Sequence, residues 1–301
     1  MKSERGFALV ITLLIAALLV ALSVEFVNEV FVDTSARQNF TDGQQASIMA
    51  GSGVTAAVQG LQVLQRARPS YTKLDDLEQV AKLLSIEDEK GSLQMTIEDE
   101  SGKVNLNLVS GSNGQPVGSY DVAKRLLKNA GLSLDLLDTL SDWVDDGSVP
   151  PHPAGAKNPY YNTLKPPYDV KSGKLETVEE LSLIKGFDAV TVKRLRPFVT
   201  VYDDCTSINI NTAPKEVIAA LDDGMTNDLA QIVIDHRPFD DSNPLVNVPG
   251  MKSIATGLTT STTTIGTVYR IISLATVKET TRIVEAVVRI SDGHILYWRE
   301  Y

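Results

Sequence analysis

Residues Gly6–Leu22 read GFALVITLLIAALLVAL, directly behind the charged leader Met1-Lys2-Ser3-Glu4-Arg5. From Phe7 to Val24 no residue is charged, and Thr12 and Ser23 are the only polar side chains. As an ideal helix this stretch spans about 27 Å, close to the thickness of a bilayer core. A secretory signal has a shorter apolar region that ends in a small-residue cleavage site, whereas this run passes through Leu22 into Glu25 without an exit. Residues 7–24 therefore read as a retained transmembrane helix. Lys2 and Arg5 place the short N-terminal flank in the cytoplasm by the positive-inside bias, and the bulk of the chain on the other side. A plain signal anchor satisfies the same composition.

Past the apolar run the pattern stays helical but turns amphipathic. Phe26, Val27, Val30 and Phe31, then Ile48, Val54, Val58, Leu61 and Leu64, recur at intervals near three and four. This predicts a helical extension over 25–68, ending before Pro69. Gly43, Gly51, Gly53 and Gly60 weaken it, and a bend or break is expected at Thr41–Gly43. A shorter helix follows at Asp75–Leu84. Leu93–Ile97 and Val104–Leu108 alternate apolar and polar residues, and read as a hairpin turning at Ser101-Gly102. Val268–Val277, Thr281–Ser291 and Ile295–Trp298 read as three further strands, separated by Lys278-Glu279-Thr280 and Asp292-Gly293.

The middle of the chain is helical, beginning at Asp121–Leu127 ahead of a turn at Gly131. It contains two pairs of short helices. The first is Val178–Ile184, a turn at Lys185-Gly186-Phe187, and Ala189–Phe198 capped by Asp188. The second is opened by Pro214, turned by Asp222-Asp223-Gly224 and completed by Asn227–His236. Such pairs are similar to helix-hairpin-helix or SAM-like units, some of which hold nucleic-acid backbone. Here the second turn is flanked by aspartates and the chain carries a formal charge of −10, so phosphate would be repelled and no nucleic-acid partner is expected. The single Cys205 excludes an internal disulfide and reads as a small buried residue. His152, His236 and His294 form no triad or metal-ligand spacing, and no nucleophile, base and orienting group come together, so an enzyme is not expected.

Asp142-Trp143-Val144-Asp145-Asp146-Gly147 is the most chemically suggestive cluster. Carboxylates within one turn repel unless solvated or neutralised, and hard oxygen ligands beside a flexible glycine suit calcium. Asp142 and Asp145, three apart, share a helix face, and Asp146 approaches the same point. Asn158 follows after a Pro/Gly-rich loop as a further oxygen ligand, and Trp143 is expected in the core. An acidic, solvated helix end is the plain alternative.

Two resemblances add to this. A charged leader ending in Gly6, with Phe7 opening the apolar run, resembles a type IV prepilin signal. That implies cleavage between Gly6 and Phe7 by a prepilin peptidase, N-methylation of Phe7, and retention of the helix. Most pilins carry glutamate at the fifth mature position, where this chain has Ile11. In pilin assembly that glutamate is taken to meet the terminal amine of the subunit ahead, so Ile11 implies a subunit with nobody ahead of it.

From end to end the chain resembles the type II secretion minor pseudopilin K family. The resemblance rests on the leader with Ile11, DESGKVNLN, SDWVDD, NPYYNTLKPPY, VEELSLIKGF, RLRPFVTVY, SININTAPKEVIAAL and the final ILYWREY. It implies an α+β fold: a pilin-like long N-terminal helix and antiparallel sheet interrupted by a large helical, SAM-like insert. The expected division is leader 1–6, transmembrane helix 7–24, periplasmic helix extension 25–68, α/β body 69–110 and 265–301, and insert 111–264. The implied role is to initiate and cap an inner-membrane pseudopilus with minor pseudopilins I and J, and through them H and the major pseudopilin G. Calcium in the insert is also implied, although this chain has Lys157 and Asn158 where an acidic residue often precedes the tyrosines. The alternative is a pseudopilin of a related type IV pilus or DNA-uptake machine.

Overall fold

The computed structural model describes residues 2–89, 91–111, 117–147 and 150–301. Met1 of the leader lies outside the described residues, as do 112–116 and 148–149 of the expected insert. Helix α1 runs without interruption over Lys2–Ala67. Its first part is the one described helix long and apolar enough to cross a membrane by length and composition, and that window makes no contact within the protein that would bury it. After α2 (Leu74–Leu84) come strands β1 (Ile86–Asp88) and β2 (Gly91–Asp99).

The chain then leaves the sheet. It builds β3 (Val104–Asn105), α3 (Tyr120–Asn129), α4 (Asp135–Val144), α5 (Asn158–Tyr161), α6 (Ala189–Leu195), β4 (Val199–Thr200) and β5 (Ile208–Asn209). It continues through α7 (Lys215–Ile218), α8 (Asn227–Asp235), α9 (Ala255–Leu258) and β6 (Thr262–Thr263). It returns as β7 (Val268–Val277), β8 (Thr280–Arg289) and β9 (His294–Glu300). The main sheet is antiparallel in the order β1-β2-β7-β8-β9. The excursion from it thus spans Glu100 to Thr267, wider than the expected 111–264.

Period-two alternation in β2 turns Leu93, Met95 and Ile97 to one face, where they meet Ala50, Val54, Ala57 and Leu61 of α1 and Leu77 of α2. A separate, larger core fills the excursion and reaches the sheet through buried Val268 and Val287, with Leu296 and Tyr297 of β9 packed against it. Two apolar cores, each with its own helices, are what make the excursion a body in its own right.

Two expectations are corrected. Helix α1 does not break at Thr41–Gly43: Gly43 and Gly53 lie where Arg282 and Ser273 of the sheet come close, and are places of close approach rather than points of weakness. A Cβ at Gly53 would lie 2.6 Å from Ser273 Oγ and 3.0 Å from Met95 Sδ, both in the sheet below. At Gly51 the nearest atoms are the Trp298 ring carbons, 3.8 Å away, which is ordinary contact. The two positions should therefore respond with opposite signs. Gly53→Ala is expected to cost about 1–3 kcal/mol by lifting α1 off the sheet. Gly51→Ala should gain about 0.5–1 kcal/mol from helix propensity. Urea unfolding of the two variants beside the parent measures both; equal shifts would refute the close-approach account.

Nor do Leu93–Ile97 and Val104–Leu108 form a hairpin. A hairpin would leave Ser101-Gly102 in solvent, yet Glu100, Ser101 and Gly102 are buried. The Asp99 carboxylate accepts from Ser101 N–H at 2.8 Å, and a single 3₁₀ turn, Glu100–Gly102, steers the chain away. Val104-Asn105 then pairs in parallel with Val199-Thr200 of the excursion. Local alternation in 104–108 was real, but its partner lay almost a hundred residues on.

Candidate functional site

Gly6, Phe7 and Ile11 all lie in α1. Phe7 is 69% exposed and Ile11 41%, in an unbroken row of outward-facing apolar side chains that includes Leu14, Leu18 and Leu22. Burying such a row needs lipid or other helices.

The acidic turn forms where α4 ends. Asp142 and Asp145 are brought together and fully buried, whereas Asp146 is exposed. Neither buried carboxylate is left to itself. The loop beyond folds over Asp142, so that His152 N–H donates to both of its oxygens, at 3.1 and 3.2 Å, and His152 Nδ1 lies 2.6 Å from Oδ1. Gly155 sits so close to this carboxylate that a Cβ there would lie 1.8 Å from Oδ2. Asp145 accepts from Gly147 N–H, which a positive φ at Gly147 allows, and is ion-paired with Lys157 Nζ at 3.2 Å. Its other oxygen has no hydrogen-bond partner among the described residues. Asn158 does not join the cluster: its Oδ1 accepts from Val170 N–H at 2.8 Å. Trp143 enters the core as expected, edge-on to Tyr161 at 5.3 Å between centroids. Burial pushes the Tyr161 hydroxyl up to about 12.

Calcium takes six to eight oxygens. Of the four expected ligands, Asp142 is wrapped by a histidine, Asp145 is paired with an ammonium, Asn158 is turned toward a backbone amide and Asp146 lies exposed, so the donor set as arranged does not fit that ion. Asp138, which accepts from Ala154 N–H at 3.1 Å, completes the arrangement with His152, Gly155 and Lys185, and none of the four was expected as a site residue. The only available signal was their density around one Pro/Gly-rich loop.

A second charged cluster, also missed, sits at the seam between sheet and excursion. Glu100, fully buried, accepts from Arg270 Nε at 2.7 Å and from Lys103 Nζ at 2.8 Å. Arg270 also donates to Glu285, which receives Tyr301 Oη at 3.1 Å and faces Arg196 of the excursion at 3.5 Å. Burial alone would push the Glu100 carboxyl up, but the charges of Lys103 and Arg270 outweigh it and hold it below its ordinary value. Beside it, Asp99 is raised by burial although it accepts from Thr212 and Asn209. Neither cluster offers an activated nucleophile, and both are arranged as structural clamps.

Two family models described as Type II secretion system (T2SS), protein K, match residues 102–204 and 208–267. A type II secretion system protein K of Klebsiella pneumoniae is 32% identical over 233 residues, covering 72% of this chain and 69% of the relative. One from Pseudomonas aeruginosa is 27% identical over 229 residues, covering 73% and 68%. Among solved structures, a chain from the crystal structure of the GspK-GspI-GspJ complex of the enterotoxigenic Escherichia coli type 2 secretion system superposes with a TM-score of 0.74. That match has 18% identity and covers 89% of this chain and 99% of that one, which speaks to the fold.

Proposed function

Because this chain belongs to the type II secretion system protein K family, we propose that it is the minor pseudopilin that starts and caps the secretion pseudopilus. The family is one of structural pseudopilins rather than enzymes. The observation that carries the proposal is the asymmetry of the molecule. One end is a membrane-length apolar helix with every large side chain turned outward, and the other carries a body of some 170 residues grafted onto a small sheet. The helix packs among the helices of subunits below, while the grafted body obstructs addition above.

In this reading prepilin peptidase removes residues 1–6 and leaves methylated Phe7 at the start of a single inner-membrane helix, with the sheet and insert in the periplasm. Minor pseudopilins I and J are the direct partners, by likeness to the complex of known structure, and H and G join through them.

The test is co-purification of the full chain from membranes in detergent with I and J, followed by mass measurement of the captured chain. A stable complex at micromolar concentration whose protein K component begins at methyl-Phe7 is the expected result. No complex, or a chain with Met1 intact, would overturn the reading.

A further inference from the structure

Around the acidic turn, two lysines take one carboxylate oxygen and three main-chain carbonyls that a hard cation could use, while Asp145 Oδ2 has no hydrogen-bond partner among the described residues. Lys157 Nζ lies 3.2 Å from Asp145 Oδ1 and donates to the Asp142 main-chain carbonyl at 2.9 Å. Lys185 Nζ reaches in from the neighbouring helix pair and donates to the carbonyls of Ala154 and Gly155, at 3.2 and 3.3 Å. Lys157 thus ties the Asp145 carboxylate to the main chain at the end of α4, and Lys185 ties down two successive carbonyls of the loop after it. Both lysines are held in place. Lys157 is the residue before α5 and its side chain is only 15% exposed, while Lys185 Nζ stands 5.3 Å over the Tyr160 ring. His152 closes the other side by covering Asp142.

We infer that Lys157, seconded by Lys185, supplies this insert with an internal cation in the role a divalent ion would otherwise play, so that the turn is built and held without calcium. The physical basis is charge and reach. An ammonium carries three donors, enough to bridge a carboxylate and a carbonyl at once, and it is covalently attached, so the turn does not depend on the concentration of a free ion. A divalent ion entering here would have to displace a half-buried ammonium and meet its positive charge at close range.

The inference predicts how the full chain in detergent responds to calcium and to loss of the lysine. The parent should melt at the same temperature in chelator and in millimolar calcium. Lys157→Met keeps the stem and deletes the charge, leaving Asp145 buried without a counter-charge. Its melting temperature in chelator should fall by roughly 5–10 °C. Lys157→Asp replaces the ammonium with an oxygen ligand; it should fall at least as far in chelator and recover part of the loss when calcium is added. Lys157→Arg should stay near the parent. A rise of several degrees in the parent on adding calcium would overturn the inference, as would a Lys157→Met variant as stable as the parent. If Lys157→Met does not accumulate as folded protein, the calcium response of the parent and of Lys157→Arg still decides.

Discussion

Replacing Arg270 with methionine is expected to lower the melting temperature of the full chain by roughly 10 °C, the largest effect of any single truncation at the seam. Arg270 lies on β7 and is 8% exposed, with Glu100 on one side and Glu285 on the other. Methionine fills similar volume, so the loss is electrostatic rather than a cavity. Lys103 alone would remain for Glu100, and Arg196, half in solvent, for Glu285. Stranding a buried charge in this way typically costs about 3–5 kcal/mol. Two controls separate this from simple misfit. The triple variant Arg270→Met, Glu100→Gln, Glu285→Gln removes the stranded charges and should regain most of the loss. The effect should also depend on pH with a definite sign. Glu100 in the parent is held below its ordinary value of 4.5, so its contribution is fully present above that pH and is lost as the pH falls through the lower folded value. In the variant Glu100 can shed its charge by taking a proton, so the gap between parent and variant should be widest near neutrality and should narrow on acidification. Asp99 moves the opposite way in both proteins, and drops out of the difference. A gap that is constant from neutrality to pH 4 would show that packing, not charge, is what Arg270 provides.

The same seam shows where the sequence was readable and where it was not. The long helix, the strands β7–β9 and the paired short helices were legible because each is specified by its own residues. An uncharged run sets α1, period-two alternation sets the strands, and Asp188 caps α6 by accepting from Thr191 N–H at 2.7 Å. What failed was whatever depends on a distant partner. Gly53 reads as a helix breaker until Ser273 and Met95 are known to lie beneath it. Val104 reads as the return arm of a hairpin until Val199 is found to be its neighbour. The acidic turn falls between these cases. Asp142 and Asp145 do share a place, as their spacing required, but the spacing gives no hint that His152 and Lys157 come back to cover them. Lys157 was visible as a departure from the family pattern, and its meaning became apparent only when its ammonium was seen against Asp145.

Ile11→Glu is the substitution expected to damage assembly most while leaving the folded body untouched. Ile11 is 41% exposed on the apolar part of α1, far from both cores, so nothing in the sheet or insert senses it. A carboxylate at that depth costs about 3 kcal/mol on insertion scales unless it is protonated or finds a cation. One helix of this hydropathy tolerates that cost, and the variant should still insert and still be processed. A subunit with another ahead of it can offset the charge with that neighbour's terminal amine. In the tip reading this chain has no such neighbour, and the glutamate has nothing to meet. An energy of this size corresponds to roughly a hundredfold in an equilibrium, so the number of pseudopili initiated per cell should fall by on the order of tenfold or more. Secreted enzymes should then accumulate inside the cell, while Ile11→Leu behaves as the parent. Counting pseudopili and assaying secretion in cells whose only copy is the variant measures this directly. If Ile11→Glu initiates and secretes like the parent at equal membrane abundance, the missing glutamate does not specify position. Terminal placement would then have to come from the Glu100–Thr267 body alone, through steric obstruction of whatever would be added above it.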